Sequence, residues 1–191
     1  MIIAAFDPGS YTGCAIFDGV GVLVDTGTVK DDGTLAEYCD KLRKMQERHN
    51  IDVAVIEAYQ NFGKHFRDAS KVQAQIRALK DVFPDHIMVR TGSWNPRHYE
   101  DRFKRQLAAN AFRHVFTNSH TTDAALMGEW FCAFMRAASQ RVGLKPEAMV
   151  TETVKRWHKI PTDSDLITLR DELQRNRKPS FTVATFHRAA V

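Results

Sequence analysis

Covalent and metal-thiolate staples have little to build on in this chain. Cysteine is scarce: Cys14, Cys39 and Cys132 are an odd number with no Cys-x-x-Cys spacing. That argues against a disulfide framework or a zinc site and fits a reducing, cytoplasmic setting. No apolar run approaches the length of a membrane span, and no basic segment leads into one at the N-terminus. Neither anchor nor signal peptide is therefore expected. Internal repeats and low-complexity segments are also missing. What remains is a chain of 191 residues, enough to bury one proper core.

Charge is present but unevenly placed. Residues 1–60 carry five basic against ten acidic side chains, residues 61–105 ten against five, and residues 145–191 nine against six. An acidic beginning joined to a basic middle and tail suits a protein that holds cations at one point and polyanion around it, although a solvated surface gives the same totals.

The hydrophobic pattern resolves into alternating elements. "MIIAAFD", "GCAIFDG" and "VGVLVDTGTV" predict a three-stranded antiparallel meander over residues 1–30, with a hairpin turn at Asp18-Gly19. "TLAEYCDKLRKMQERHN" predicts a helix burying Leu35, Tyr38, Leu42 and Met45 and ending at Asn50. "IDVAVIEAY" has no polar face and reads as a central strand. A helix over 66–83 stops at Pro84, "HIMVRTG" is a fifth strand, and a basic helix spans 97–116. "TNSHTTDAALMGEWFCAFMRAASQRV" predicts a helix capped by Thr121 or Thr122, with Asp123 in its first turn and Phe131, Phe134 and Met135 in the core. Beyond Lys145 the signal fades into short helices near 147–158 and 163–176 and a strand-like "SFTVATFHR". The order βββαβαβα implies an α/β fold built on a mixed sheet.

Two of the apolar strands end in acids, Asp7 and Glu57. Asp7 in "FDPGS" is also ordinary turn chemistry, but Glu57 in an apolar strand is not, because a buried unpaired carboxylate is costly. His120 and Asp123 lie at i and i+3, on one side of a helical turn. His120 is alternatively a helix-start residue, and Asp123 complements the helix dipole in either case. Three carboxylates and an imidazole meeting at one place repel unless cations lie between them. Oxygen-rich sites of this type suit Mg²⁺ or Mn²⁺, two of which can clamp a phosphodiester under hydrolysis.

"FDPGS" after its apolar lead-in, "VIEAY", and "HTTDAAL" at a helix start resemble, in order and position, the three motifs of the RuvC-type Holliday-junction resolvases. The resemblance spans residues 1–143. It implies a ribonuclease H-like catalytic domain over 1–144 and a C-terminal extension over 145–191, packed on that domain or touching DNA. It further implies Asp7, Glu57, His120 and Asp123 as catalytic metal ligands, two Mg²⁺ ions with Mn²⁺ as a substitute, a four-way DNA junction as substrate, and a homodimer, for which the apolar face of the helix over 66–83 is the candidate interface. Three positions after the motif's Glu, where such resolvases often carry a wedging aromatic, this chain has Gln60. Tyr59 and Phe62 flank it, as substitutes or as core. Lys104 in "RFKRQLAANAF" matches a junction-binding lysine, while "SWNPRHYED" replaces the usual Gly-containing loop. Lys64, Arg67 and Lys71 are either a solvated helix face or phosphate contacts. Alternatives are another ribonuclease H-like nuclease acting on RNA–DNA hybrid, a transposase-type enzyme, a debranching nuclease or a non-catalytic DNA-binding module. An actin-like ATPase kinase also opens on a strand–Asp–Gly turn, but the second Gly-rich phosphate loop it needs is missing.

Overall fold

The computed structural model describes residues 1–19, 21–58, 66–94 and 119–176. Strand β1 (Ile2–Asp7) is buried from Ile3 to its end, so both of its faces must be covered. Its two-residue period sends Ile3 and Ala5 into one apolar cluster and Ala4 and Phe6 into another. Around it lie β2 (Thr12–Asp18), β3 (Leu23–Val29), β4 (Val53–Ala58) and β5 (His86–Arg90), in the sheet order β3-β2-β1-β4-β5. The meander β1-β2-β3 is antiparallel, whereas β1-β4 and β4-β5 are parallel. This is the mixed sheet expected from the sequence.

Parallel neighbours need crossovers, and two helices supply them on one face. Helix α1 (Leu35–His49) starts with a capping box: Thr34 Oγ1 accepts from the Glu37 amide at 3.2 Å, and the Thr34 amide donates to Glu37 Oε2 at 2.6 Å. It ends at Asn50 in the left-handed conformation. Tyr38 and Leu42 are buried as expected, but Leu35 is 51% exposed, because it opens the first turn beyond the edge of the core. Tyr38 also meets Thr12 through buried hydroxyls 2.7 Å apart, which ties α1 to β2. Helix α2 (Phe66–Val82) sends Val72, Ile76 and Leu79 into the same cluster. The apolar side of 66–83, the sequence's candidate for a dimer interface, is thus occupied by the chain's own core.

The opposite face is covered by α4 (Ser119–Val142), after a single-turn helix α3 (Thr91–Trp94) that follows β5. Helices α5 (Pro146–Arg156) and α6 (Asp163–Asn176) pack against α4, and Met149, Val150, Val154, Leu166 and Leu169 share its buried cluster. After α5 the chain returns to the sheet edge, where the Met88 amide donates to the His158 carbonyl at 2.9 Å.

The β2–β3 hairpin turns at Asp18-Gly19, as expected, and closes between Asp18 and Val22 with Gly21 in the left-handed region (φ 88°). One local expectation needs correction. The described part of α4 begins at Ser119, so Thr121 lies inside the helix and Asp123 beyond its first turn. The expected helix 97–116, the strand-like 180–188, Tyr59, Phe62, Lys64 and Lys104 lie outside the described residues.

Because Leu169 anchors α6 in the common cluster, Leu169→Ala should lower stability by about 2–5 kcal/mol. Urea denaturation measures this. An unchanged midpoint would mean that α6 unfolds separately from the sheet.

Candidate active site

Strand alternation decides where the acids go. On β1 the row Ile3, Ala5 continues to Asp7, and on β4 the row Val53, Val55 continues to Glu57. Both rows belong to the face covered by α4. The parallel register pairs Ile3 with Val53 and Phe6 with Ile56, so one further step brings Asp7 alongside Glu57. Asp7 is buried at 5% exposure.

Helix α4 brings the imidazole. His120 Nδ1 lies 2.7 Å from Asp7 Oδ2, a hydrogen bond between residues 113 positions apart. Thr121, buried one residue further, donates to the Gly27 carbonyl at 3.2 Å and contacts the Thr28 hydroxyl at 3.1 Å. It pins the helix start to β3, where the sequence suggested a cap. Two glycines make the approach possible. A Cβ on Gly9 would overlap the His120 ring, and one on Gly13 would overlap the His120 carbonyl.

The electrostatics follow from this crowding. Burial, then a hydrogen bond with Glu57, then the charges of Glu57 and Asp123 push the Asp7 carboxyl up to about 10. In this arrangement Asp7 therefore keeps its own proton at neutral pH. Of the four expected site residues, Asp7 is tied to both Glu57 and His120, and Asp123 is near enough for its charge to act on Asp7.

The donor chemistry fits a hard divalent cation: three carboxylates and one imidazole, two of the carboxylates forced together by the sheet. Their arrangement is different. No group of three or more His, Cys, Asp or Glu side chains among the described residues is set to hold a metal ion. The contact with His120 and the proton on Asp7 occupy oxygen lone pairs that such an ion would take.

One site residue is missing from the sequence reading. Trp94, buried in α3, donates its indole N–H to Glu57 Oε1 at 3.2 Å. No spacing marks it, since β5 must first be known to lie beside β4. Among the other expected residues, Lys71 on α2 pairs with Asp31 at 3.5 Å, which also accepts from Gln75 Nε2 at 3.0 Å. Arg67 falls in the first turn of α2.

Trp94→Phe keeps the ring but removes the donor that orients Glu57. Outer-shell partners of this type typically carry about a tenfold effect on metal affinity, and Mn²⁺ titration of the variant should show a loss of that order. Equal Mn²⁺ affinity in wild type and Trp94→Phe would show that the indole contact has no bearing on the acids.

No family model matches the sequence, and no curated protein matches it. Solved structures do. The structure of Thermus thermophilus RuvC in complex with Holliday junction substrate aligns with a TM-score of 0.57 at 15% identity, covering 72% of this chain and 96% of that one. A second Thermus thermophilus RuvC structure aligns with a TM-score of 0.55 at 16% identity and the same coverage. The five-stranded mixed sheet, its order and its flanking helices are therefore the ribonuclease H-like fold of RuvC.

Proposed function

We propose that this chain is a divalent-cation-dependent endodeoxyribonuclease that resolves four-way DNA junctions. The observation that carries the reading is the Asp7–Glu57 pair. Two neighbouring parallel strands end in carboxylates that share a buried edge, a placement that costs stability unless positive charge is held there. The fold supports the choice of substrate, since the aligned RuvC structure contains a Holliday junction.

Asp7, Glu57 and Asp123 would supply oxygen donors, and His120 either a fourth donor or a proton acceptor for the attacking water. Mg²⁺, when bound, polarises the phosphodiester and acidifies water. The chain's own residues do the positioning. Trp94 holds Glu57, Thr121 fixes the start of α4, and Gly9 lets the imidazole lie against the β1–β2 turn. Lys64, Arg67, Lys71 and Lys104 would neutralise phosphates around the acidic edge. A phosphate at Lys71 competes with Asp31 for the ammonium group. Tyr59 and Phe62 are the aromatic candidates for the opened junction.

A four-way junction needs two symmetric nicks, which a C₂ homodimer supplies from one chain. Sedimentation of the junction complex as a monomer would remove the dimer from this proposal. Residues 1–144 form the catalytic unit in this reading, with α5 and α6 bracing α4 from behind. No helix of the described residues is long and apolar enough to cross a membrane.

Asp7→Asn preserves size and removes one anionic donor. Cleavage of a four-way junction in Mg²⁺ should fall by at least about a hundredfold, the scale of losing one strong transition-state contact, while junction binding persists. The assay should include linear duplex and RNA–DNA hybrid. Cleavage of the hybrid alone would favour a ribonuclease H-type activity, and wild-type junction cleavage by Asp7→Asn would refute the site.

A further inference from the structure

Residues 1–60 are acidic as a segment, yet their few cations are not scattered. Of the five Lys and Arg side chains there, Lys30, Lys41, Lys44 and Arg48 line one cleft between β3 and α1. The fifth, Arg43, lies outside it in an ion pair with Asp40 at 2.7 Å. The cleft encloses about 480 Å³ and has an apolar floor of Cys14, Ile16, Val29 and Met45. Its size falls in the usual range for small-ligand sites, about 300–1,000 Å³.

The charges around the cleft are only partly balanced. Lys41 is held by Asp32 at 2.6 Å and by the Lys30 carbonyl at 3.0 Å. His49 faces Asp25, the one acid in the lining, at 3.4 Å. Lys44 and Arg48 are exposed and have no hydrogen-bond or ion-pair partner among the described residues. Lys41, Lys44 and Arg48 recur at i, i+3 and i+7 and so form one stripe along α1. Like charges at such spacing oppose helix formation by about 0.2–0.5 kcal/mol per pair. The helix dipole explains Arg48 and His49 in the last turn, but it does not reach Lys41 or Lys44 in the middle of the helix. At the floor, burial and the nearby Asp25 keep the Cys14 thiol neutral, so it behaves as apolar surface.

We propose that the β3–α1 cleft binds a small phosphorylated ligand of nucleotide size, with its phosphate held by Lys44, Arg48 and Lys30 and its body on the apolar floor. The two chemistries of the lining call for the two parts of such a molecule. A duplex backbone would satisfy the rim but has no apolar group to fill the floor. The site is separate from the carboxylates and does not depend on the nuclease reading, because its ligand is anionic and its residues are on the other face of the sheet.

Isothermal titration with inorganic phosphate, pyrophosphate, dAMP and deoxyadenosine tests this on the full-length chain. The phosphorylated probes should bind, dAMP more tightly than phosphate, and uncharged deoxyadenosine should not. Lys44→Ser/Arg48→Ser changes exposed side chains only, so circular dichroism should be unaltered while dAMP affinity falls at least tenfold. Lys44→Arg/Arg48→Lys should retain binding. No heat from any phosphorylated probe at millimolar concentration, or undiminished binding by the serine variant, overturns the proposal. Four-way DNA serves as the other arm. If the serine variant flattens the salt dependence of junction binding by about two counterions while dAMP does not bind, the cleft is a DNA contact and the small-ligand assignment is wrong.

Discussion

The two-residue period of β1 is the constraint on which the rest depends. Once Ile3 and Ala5 face α4, Asp7 must face it too, because register along a strand cannot be changed one side chain at a time. The strand is central, so this carboxylate is carried into a nearly dry position. The neighbouring parallel strand repeats the sentence with Val53, Val55 and Glu57. A buried acid beside a half-buried one at adjacent strand ends is a cost that the fold imposes on itself. It is met by the proton on Asp7, by His120 and by the indole of Trp94.

Everything packed on that face serves a close approach. Ala124 and Ala125 are fully buried just beyond Asp123, and a Cβ on Gly128 would overlap the Phe17 ring. These small residues let α4 lie low over β1 and β2, and Gly9 and Gly13 do the same from the sheet side. Helices α5 and α6 then close the back of α4, so the helix that carries His120, which would otherwise have a solvent face there, is held between two layers. Rigid support of this kind matters for any site that must keep like charges together, since a small relaxation of α4 would release them.

What the sequence disclosed is what local rules govern. The strand–acid endings, the Thr34–Glu37 capping box, the Asn50 terminus and the order βββαβαβα all follow from patterns within about ten residues of one another. The ordered motifs went further, because they joined Asp7, Glu57, His120 and Asp123 before any register was known. The parts that escaped notice depend on which elements become neighbours. Trp94 meets Glu57 only because β5 adds beside β4. Leu35 has the right helical spacing but too little sheet beneath it. The apolar side of α2 looked available for a second subunit until the crossover turned it inward. Thr121, a natural cap by type, instead bonds the carbonyl of a strand 94 residues earlier. Arg67, Lys71 and the residues outside the described segments are in the same class, since contact with DNA is a property of the whole surface.

The opposite signs on the two faces of the sheet are related. Acids gathered at the ends of β1 and β4 need positive charge, yet a lysine placed among them would hold the site permanently in ion pairs and block a cation. The chain keeps most of its early cations away by putting them on α1, across the sheet, where Lys41 is paired with Asp32 of the β3–α1 connection, and Lys71 of α2 is paired with Asp31 of the same connection. Exposed charges further apart than about 8 Å are largely screened from one another in physiological salt, and the sheet lies between the carboxylate edge and the α1 stripe. In the proposed readings, the same separation would let one short acidic segment face one kind of charge at its strand ends and the other along its helix.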